Sequence, residues 1–313
     1  MALTQNKRAY AAGHFALELD AKAGGWLFTV EGGMAQAEVV NEKIGPEHLI
    51  HKHISTVKYD DITVTCGPAM SREFYNWITK SFQGDYSRQN GAIIAADYNF
   101  NEVTRLNFFA GLVTEVGFPA LDAASRDVAR LTVKISPEYT RLETGGGRSI
   151  AGSAYPIDST KAKRWLTRNF RCTIDGVDCT RVAKVEAITI KQKVTEVPLG
   201  EFRDPYREPT IIEYPNVVFS LPESHAGDFF DWYKSFVVGG QCDTKDEKHG
   251  SITFLHEDMD MNPKKAACRI DLYNLGLFKL TMDKGEAGSD KIRMVKAEMY
   301  CEKMKFEIQD AYD

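Results

Sequence analysis

The chain contains a long internal repeat, and this feature limits its possible folds more than any single residue does. Residues 56–77 (TVKYDDITVTCGPAMSREFYNW) resemble residues 210–232 (TIIEYPNVVFSLPESHAGDFFDW). The shared aromatic positions, 155 residues apart, are Tyr59, Phe74 and Trp77 in the first stretch and Tyr214, Phe229 and Trp232 in the second. Solenoid repeats are much shorter, roughly 20–45 residues. The spacing therefore predicts two copies of one domain.

The repeat extends beyond this core on both sides. Upstream, at the same spacing, the matching residues are Phe15, Asp20, Val30 and Glu31 in the first copy and Phe170, Asp175, Val185 and Glu186 in the second. Downstream, residues 106–109 (LNFF) match residues 270–273 (IDLY) only after an insertion. We accordingly divide the chain into a first domain (1–142), a Gly/Ser-rich and then basic linker (143–168), and a second domain (169–313).

Each copy shows mostly strand periodicity with one short helix near its middle. Alternating apolar residues, as in Phe15, Leu17 and Leu19, are typical of half-buried strands. Ser71 is a good helix N-cap, and the apolar residues that follow it have helical spacing. Polar, Gly- and Pro-containing stretches at 41–55 and 196–209 indicate long loops. We predict a mainly β chain, with two tandem copies of a small β-barrel or sandwich domain, each flanked by one short α-helix.

Composition narrows the function classes. The 313 residues are 43% hydrophobic and 27% charged, with a net charge of -5, which is typical of globular proteins and argues against a general nucleic-acid binder. The only net-basic stretch, residues 141–168, coincides with the linker. No secretory leader or membrane-spanning apolar run is recognisable, so we expect cytoplasmic synthesis and no membrane partner. The six cysteines include no CxxC pair and are expected to be free thiols.

No motif with a catalytic mechanism is present, and the repeated residues are apolar or turn-forming. We predict no catalytic residues, no cofactor and no metal site. His48, His51 and His53 cluster within one stretch that has no histidine in the other copy, which favours a solvated polar loop. Glu257, Asp258 and Asp260 lack the remaining features of a calcium loop. Trp77 and Trp232 are predicted core residues of the two helices rather than binding platforms.

The repeated motifs resemble one known family. The stretch Glu213-Tyr-Pro-Asn-Val-Val-Phe219 followed by Phe229-Phe-Asp-Trp232 is similar to the tail-tube proteins of contractile phage tails and contractile injection systems. The first copy carries the same pattern as Lys58-Tyr-Asp-Asp-Ile-Thr-Val64 with Phe74-Tyr-Asn-Trp77. The chain departs from the family pattern because it is double.

The resemblance implies a structural role. Six domains of this family close a ring, and rings stack into a hollow tube inside a sheath. Three two-domain chains would then form a pseudo-hexamer. The partners implied are other copies of the chain, sheath and baseplate proteins, and DNA or protein cargo that passes without specific binding, in a virion tail or injection particle assembled in the bacterial cytoplasm. The long loops would reach neighbours, with these candidate contact residues: Ile44, Pro46, His51, His53, Pro198, Phe202 and Tyr206.

Two alternatives remain open at this point. Because the two copies differ in their loops and cysteines, the chain could form a tube-initiating or baseplate adaptor ring instead of a repeating tube. A two-barrel enzyme or ligand-binding protein is the alternative from another class. Such a protein would have one convergent polar pocket, whereas a tube protein would form rings or filaments.

Overall fold

The structure is a computed structural model that describes residues 13–43, 45, 49–151, 165–197, 200, 204–256, 266–285 and 292–308. Within them the chain is mainly β, as predicted. The strands of the first half are β1 (His14–Leu19), β2 (Lys22–Gly32), β3 (Ala35–Lys43), β4 (Ile50–Tyr59), β5 (Ile62–Met70), β6 (Gln89–Ala96), β7 (Glu102–Phe118), β8 (Leu121–Asp122), β9 (Leu131–Ser136) and β10 (Tyr139–Thr144). Those of the second half are β11 (Phe170–Ile174), β12 (Lys184–Val185), β13 (Ile188–Val197), β14 (Tyr206–Glu213), β15 (Val217–Pro222), β16 (Lys248–Phe254), β17 (Cys268–Met282) and β18 (Met294–Ile308).

Six strands of the first half form a closed antiparallel barrel. They pair in the order β1-β2-β5-β9-β7-β6, and β6 pairs with β1 to close the circle. β10 extends the same sheet by pairing with the first part of β7. The barrel follows from the alternation of buried and exposed side chains, which turns one face of each strand inward.

The second half repeats this pairing order in an open sheet. Its strands run β11-β16-β17-β18-β15-β12. β18 is one continuous strand that corresponds to both β9 and β10. Its first part pairs with β15 and β17, and its last part continues along β17. Apolar residues of both halves belong to one continuous core.

Equivalent positions in the two halves can be read from strand register. The β3–β4 pair and the β13–β14 pair have the same irregularity, at Ala37/Val39 and at Gln192/Val194, which keeps the spacing of 155. On the long strands β7 and β17, Ala110 and Asn274 both take a left-handed backbone conformation, with φ of 49° and 54°. Their separation of 164 confirms the insertion predicted from the sequence. On β6 and β16 the register gives a third spacing, of 159, because Gly91 pairs with Phe108 and Gly250 pairs with Leu272. Below, residues that match at these three spacings are called counterparts.

A glycine recurs in both halves where two strands pass closely. Gly91 of β6 pairs with Phe108, and Gly250 of β16 pairs with Leu272 at the counterpart position. A Cβ atom at Gly91 would lie 2.4 Å from the Glu18 carbonyl oxygen, and one at Gly250 would lie 2.5 Å from that of Thr173. Both positions therefore need a residue without a side chain.

One helix packs on each sheet, as predicted. α1 (Arg72–Ser81) begins at Ser71, whose hydroxyl accepts a hydrogen bond from the Phe74 backbone N–H at 3.2 Å. α2 (Gly227–Tyr233) continues into a wider π-helical turn, Lys234–Val238. Phe74, Trp77, Phe229 and Trp232 are all buried. No helix in the described part of the chain is long and apolar enough to cross a membrane.

Two local predictions were wrong in part. Much of the described part of the predicted loops 41–55 and 196–209 consists of strands, because β3–β4 and β13–β14 are hairpins. The polar sequence of β3 and β4 reflects exposure on both faces rather than a lack of structure, whereas β14 buries a polar side chain, Arg207. The predicted Gly/Ser linker is also partly ordered. Gly145 and Ile150 donate backbone hydrogen bonds to residues 103 and 100, and Ile150 is buried. The short helix predicted near Asp158 lies outside the described residues.

Candidate assembly interface

A hairpin of the second half pairs with the barrel of the first. This second hairpin, β13–β14, places residues 188–191 of β13 antiparallel to residues 118–115 of β7. Ile188 and Ile190 point into the core and are buried, while Lys191 lies on the outer face beside Glu115. We call residues 115–118 of β7 the docked edge. The pairing satisfies backbone groups that an open edge would leave exposed.

Aromatic side chains from both halves fill the space beneath this pairing. Phe118 of β7 lies 5.4 Å from Phe306 and 6.1 Å from Phe254, measured between ring centroids. Phe82, just after α1, also contacts Phe306, and Trp165 contacts Phe254. All five rings are buried. The two halves are thus joined by a core as apolar as that of a single domain.

A buried arginine fixes the second hairpin to the barrel. Arg207 of β14 donates hydrogen bonds to Asp61 Oδ1 (3.0 Å), Ser136 Oγ (2.5 Å) and the Tyr59 carbonyl oxygen (2.8 Å). It also pairs with Glu196 of its own hairpin at 3.2 Å. A buried guanidinium with carboxylate partners on both sides is well compensated, so Arg207 gives the contact a defined register.

Charges of alternating sign cross the sheet on its outer face. Glu115 of β7 lies between Lys134 of β9 (3.7 Å) and Lys191 of β13 (3.8 Å). Lys191 is directly opposite Glu213 of β14, and Glu213 also pairs with Lys193 at 2.5 Å. Opposite charges on neighbouring strands stabilise the pairing in this register.

The exchange between the halves is reciprocal. β8, from the first half, pairs with β12 of the second, so that Asp122 lies opposite Lys184. The Lys184 ammonium group is 2.7 Å from the Asp122 carboxylate. This hydrogen bond, together with one from the Ala124 backbone, lowers the pKa of Asp122.

The first half has the same hairpin, but nothing in the described structure pairs with its outer side. This first hairpin, β3–β4, forms a two-stranded sheet of its own. Nearly all of its residues are exposed, including the apolar side chains Val39, Ile50 and Ile54. It is the counterpart of the second hairpin.

The second half likewise has the same edge, and no described strand covers it. Residues 279–282 of β17, the free edge, are counterparts of the docked edge and pair only with β18 on their other side. Met282, the counterpart of Phe118, is 48% exposed, whereas Phe118 is 2% exposed. Leu142, the counterpart of Phe306, and Val237, the counterpart of Phe82, are also exposed. Three apolar residues that are buried where the two halves meet therefore have exposed counterparts.

The residues predicted for contact fall on the hairpins. His51, His53 and Tyr206 lie in strands β4 and β14, all exposed. Ile44, Pro46, Pro198 and Phe202 lie outside the described residues, as do His48, Glu257, Asp258 and Asp260. Sequence reasoning missed Arg207, Glu115 and Lys191. Only their charge distinguishes them in the sequence, and their importance depends on strands that are far apart along the chain.

The repeated motif separates into core and interface. Tyr59 donates a hydrogen bond to Asp204 (3.2 Å) and accepts one from Arg141 (2.9 Å), so it lies where the second hairpin approaches the first barrel. Tyr214, its counterpart, is half-buried, and burial raises the pKa of its hydroxyl. The Trp77 indole N–H donates to the Ser87 carbonyl oxygen at 2.8 Å.

The described residues contain no candidate metal site. No group of three or more His, Cys, Asp or Glu side chains among them is placed to hold a metal ion. The cysteines are free thiols, five buried and Cys242 exposed. Burial raises the pKa of Cys66 to about 12, which leaves that thiol protonated at neutral pH.

Comparison with known families accounts for the first half. Residues 11–141 match the family model described as T4-like virus tail tube protein gp19. This segment matches the tail-tube family. For these residues the match confirms the family resemblance predicted from the sequence, and the matched family is one of structural proteins. No curated protein matches the chain.

Several solved structures are similar to part of this chain. One is the sheath-tube complex of the PVC extracellular contractile injection system in its extended state (16% identity, 44% of this chain and 94% of that chain, TM-score 0.39). Another is the tube-terminating cap of the anti-feeding prophage (17%, 46% and 100%, 0.39). A third is Hcp1 from Flavobacterium johnsoniae (16%, 44% and 99%, 0.27).

Proposed function

We propose that the chain consists of two tail-tube domains and that three chains close a six-domain ring, which stacks with others to build the tube of a contractile tail or injection system. The main support for this proposal is the pairing of the second hairpin with the docked edge, because this contact between two domains already occurs within one chain. The family match to residues 11–141 and the repeated hairpin and edge support the reading of the second half as another copy.

The free surfaces favour closure between chains. In the described part of each chain, the first hairpin and the free edge have no partner strand on their open sides. In the proposed ring, the first hairpin of one chain pairs with the free edge of the next. A head-to-tail contact of this kind forms a ring when its rotation closes. The edge strand of each half would then be covered by a hairpin, and each hairpin would be paired with an edge.

Burial of exposed apolar residues at the counterpart positions would favour this contact. Met282, Leu142 and Val237 would become buried as Phe118, Phe306 and Phe82 already are. Burial of apolar area contributes about 25 cal/mol per Å², so several such side chains supply a substantial part of an interface energy. Their exposure in the single chain explains why the protein should not remain monomeric.

The remaining partners follow from the role. We propose that sheath proteins surround the ring, that a baseplate or cap ends the stack, and that DNA or protein cargo passes through the lumen without specific binding. The segments between β3 and β4 and between β13 and β14, which include Ile44, Pro46, Pro198 and Phe202, are the candidate contacts to neighbouring rings. We place the protein in a virion tail or injection particle that is assembled in the bacterial cytoplasm, and we assign it no enzymatic activity.

Negative-stain electron microscopy combined with mass photometry of the purified chain tests the proposal. Rings with the mass of three chains, alone or stacked as hollow filaments, are the expected result. Met282→Lys should abolish them while leaving the unfolding midpoint unchanged, because a charge at the free edge would be buried on closure. Tyr98→Lys, at an exposed aromatic outside the counterpart positions, is the matched control. A protein that stays monomeric at all concentrations, alone and with co-expressed sheath, would contradict the proposal.

An adaptor or tube-terminating ring is the second candidate. It is favoured by the difference between the halves, since the first barrel is closed and the second sheet is open. The same images separate the two roles. Filaments of stacked rings indicate a tube, whereas single rings that never stack but bind a tube end indicate an adaptor.

A further inference from the structure

We infer that charge assigns each hairpin to one edge, so that the free edge accepts the first hairpin of another copy and rejects the second hairpin. The inference rests on the proposed ring and goes beyond it by naming the residues that force the domains to alternate. Its basis is a reversal of charge sign between the surfaces of the two halves.

The sign of the charges is reversed first between the sheets of the two halves. Glu115 of the docked edge pairs with Lys134 of β9. At the counterpart positions, Lys279 of the free edge pairs with Glu298 of β18, at 2.7 Å. The geometry is the same, because Glu115 is opposite Lys134 and Lys279 is opposite Glu298 in their sheets. The docked edge therefore presents an anion to an incoming strand, and the free edge presents a cation.

The hairpins are reversed in the same way. In the second hairpin, Lys193 of β13 pairs with Glu213 of β14. In the first hairpin, the counterparts are Glu38 and Lys58, which pair at 2.6 Å. The position that meets the edge also changes, since Lys191, opposite Glu115, has Gln36 as its counterpart. Gln36 is exposed and would lie opposite Lys279 in the ring.

Wrong pairing is therefore penalised at a defined point. If the second hairpin of a neighbour occupied the free edge, Lys191 would lie directly opposite Lys279. Like charges directly opposite one another destabilise strand pairing. The first hairpin brings a neutral Gln36 to that position, with Glu38 two residues away. Repulsive elements of this kind give specificity to closely related interfaces.

Two further contacts would also become unfavourable if the second hairpin paired with the free edge. Arg88 pairs with Glu208 of the second hairpin at 2.9 Å. The counterpart of Arg88 is Glu247, so the second hairpin would bring Glu208 to an anion. Asp61, which receives Arg207, has Asn216 as its counterpart. A buried arginine placed there would lose its carboxylate partner, which is costly.

The test varies one charge at position 36 in two backgrounds. Gln36→Glu and Gln36→Lys are made in the natural chain and in K279E/E298K, which keeps the ion pair on the barrel but reverses its direction. Ring dissociation is measured by mass photometry on dilution at about 50 mM salt, where surface charges are weakly screened. Unfolding of each monomer serves as the control for folding.

With Lys279 in place, Gln36→Glu should strengthen the ring and Gln36→Lys should weaken it, each by about two- to fivefold per contact. In K279E/E298K the order should invert, and both differences should shrink at high salt. The same order in both backgrounds, or no difference between the two variants, would overturn the charge assignment while leaving the ring intact. Absence of rings from the natural chain would instead overturn the proposed function and the inference with it.

Discussion

Phe118 and Met282 occupy the same position on two matching strands, but only Phe118 is buried. Each ends the long strand of its half, at the edge to which a hairpin can be added. Phe118 is covered by aromatic residues of the second half, and Met282 is 48% exposed. The difference in exposure shows that the contact between the halves buries one of these two positions and leaves the other open.

Substitution of these two residues should affect unfolding very differently. Phe118→Ala should lower the free energy of unfolding by about 3–5 kcal/mol, because it leaves a cavity among packed rings. Met282→Ala should change it by less than about 0.5 kcal/mol in the monomer, because the side chain is at the surface. Urea denaturation below the concentration at which rings form measures both. Equal losses for the two variants would contradict the assignment of Met282 to a free surface.

Arg207→Ala should loosen the second hairpin from the first barrel. It removes charged hydrogen bonds to Asp61 and Glu196 and leaves the Ser136 hydroxyl without its donor, at a cost of about 2–3 kcal/mol. Hydrogen exchange of β13 amides, read together with urea denaturation, should show the loss locally. Lys52→Ala is the matched control, since Lys52 is the exposed counterpart in the first hairpin. Comparable losses in both variants would show that Arg207 does not anchor the contact.

Gly91→Ala and Gly250→Ala should each destabilise the fold. A Cβ atom at either site overlaps a backbone carbonyl oxygen of the neighbouring strand, and overpacking of this kind costs about 1–3 kcal/mol. Gly146→Ala is the control, because no atom lies within 4 Å of a Cβ placed there. Thermal unfolding of the three variants is the measurement. A loss confined to only one of Gly91 and Gly250 would mean that the two halves do not share this constraint.

The Asp122–Lys184 contact should make stability depend on pH in the acid range. The folded pKa of Asp122 is lowered, chiefly by the Lys184 hydrogen bond, below its ordinary value of about 3.9. The contribution is therefore present above that value and is lost as the pH falls through the folded pKa. Asp122→Asn should be less stable than the natural chain at pH 7, and the difference should disappear toward pH 2–3.

Urea midpoints at pH 7, 4 and 3 measure this dependence. Asp85→Asn, in the turn after α1, gives the control for removal of a carboxylate at an exposed site. If the Asp122→Asn difference persisted unchanged at pH 3, the ion pair would not be its source.

The sequence revealed the repeated aromatic residues of the core, but it did not reveal the strands of the interface. Tyr59, Phe74 and Trp77 and their counterparts could be found because apolar periodicity and a shared spacing survive in one dimension. The hairpins were interpreted as loops because β3 and β4 are exposed on both faces, which removes the apolar alternation that marks a strand. In the proposed ring, these strands gain a partner from another copy of the chain.

Local periodicity and the internal repeat determined from sequence alone that this protein is mainly β and similar to tail-tube proteins. Only the tertiary structure decided which hairpin meets which edge. Lys191 and Glu115 are far apart in the chain, so no local pattern connects them. Strand register does connect them, because side chains directly opposite on adjacent strands lie about 5 Å apart whatever their separation in sequence.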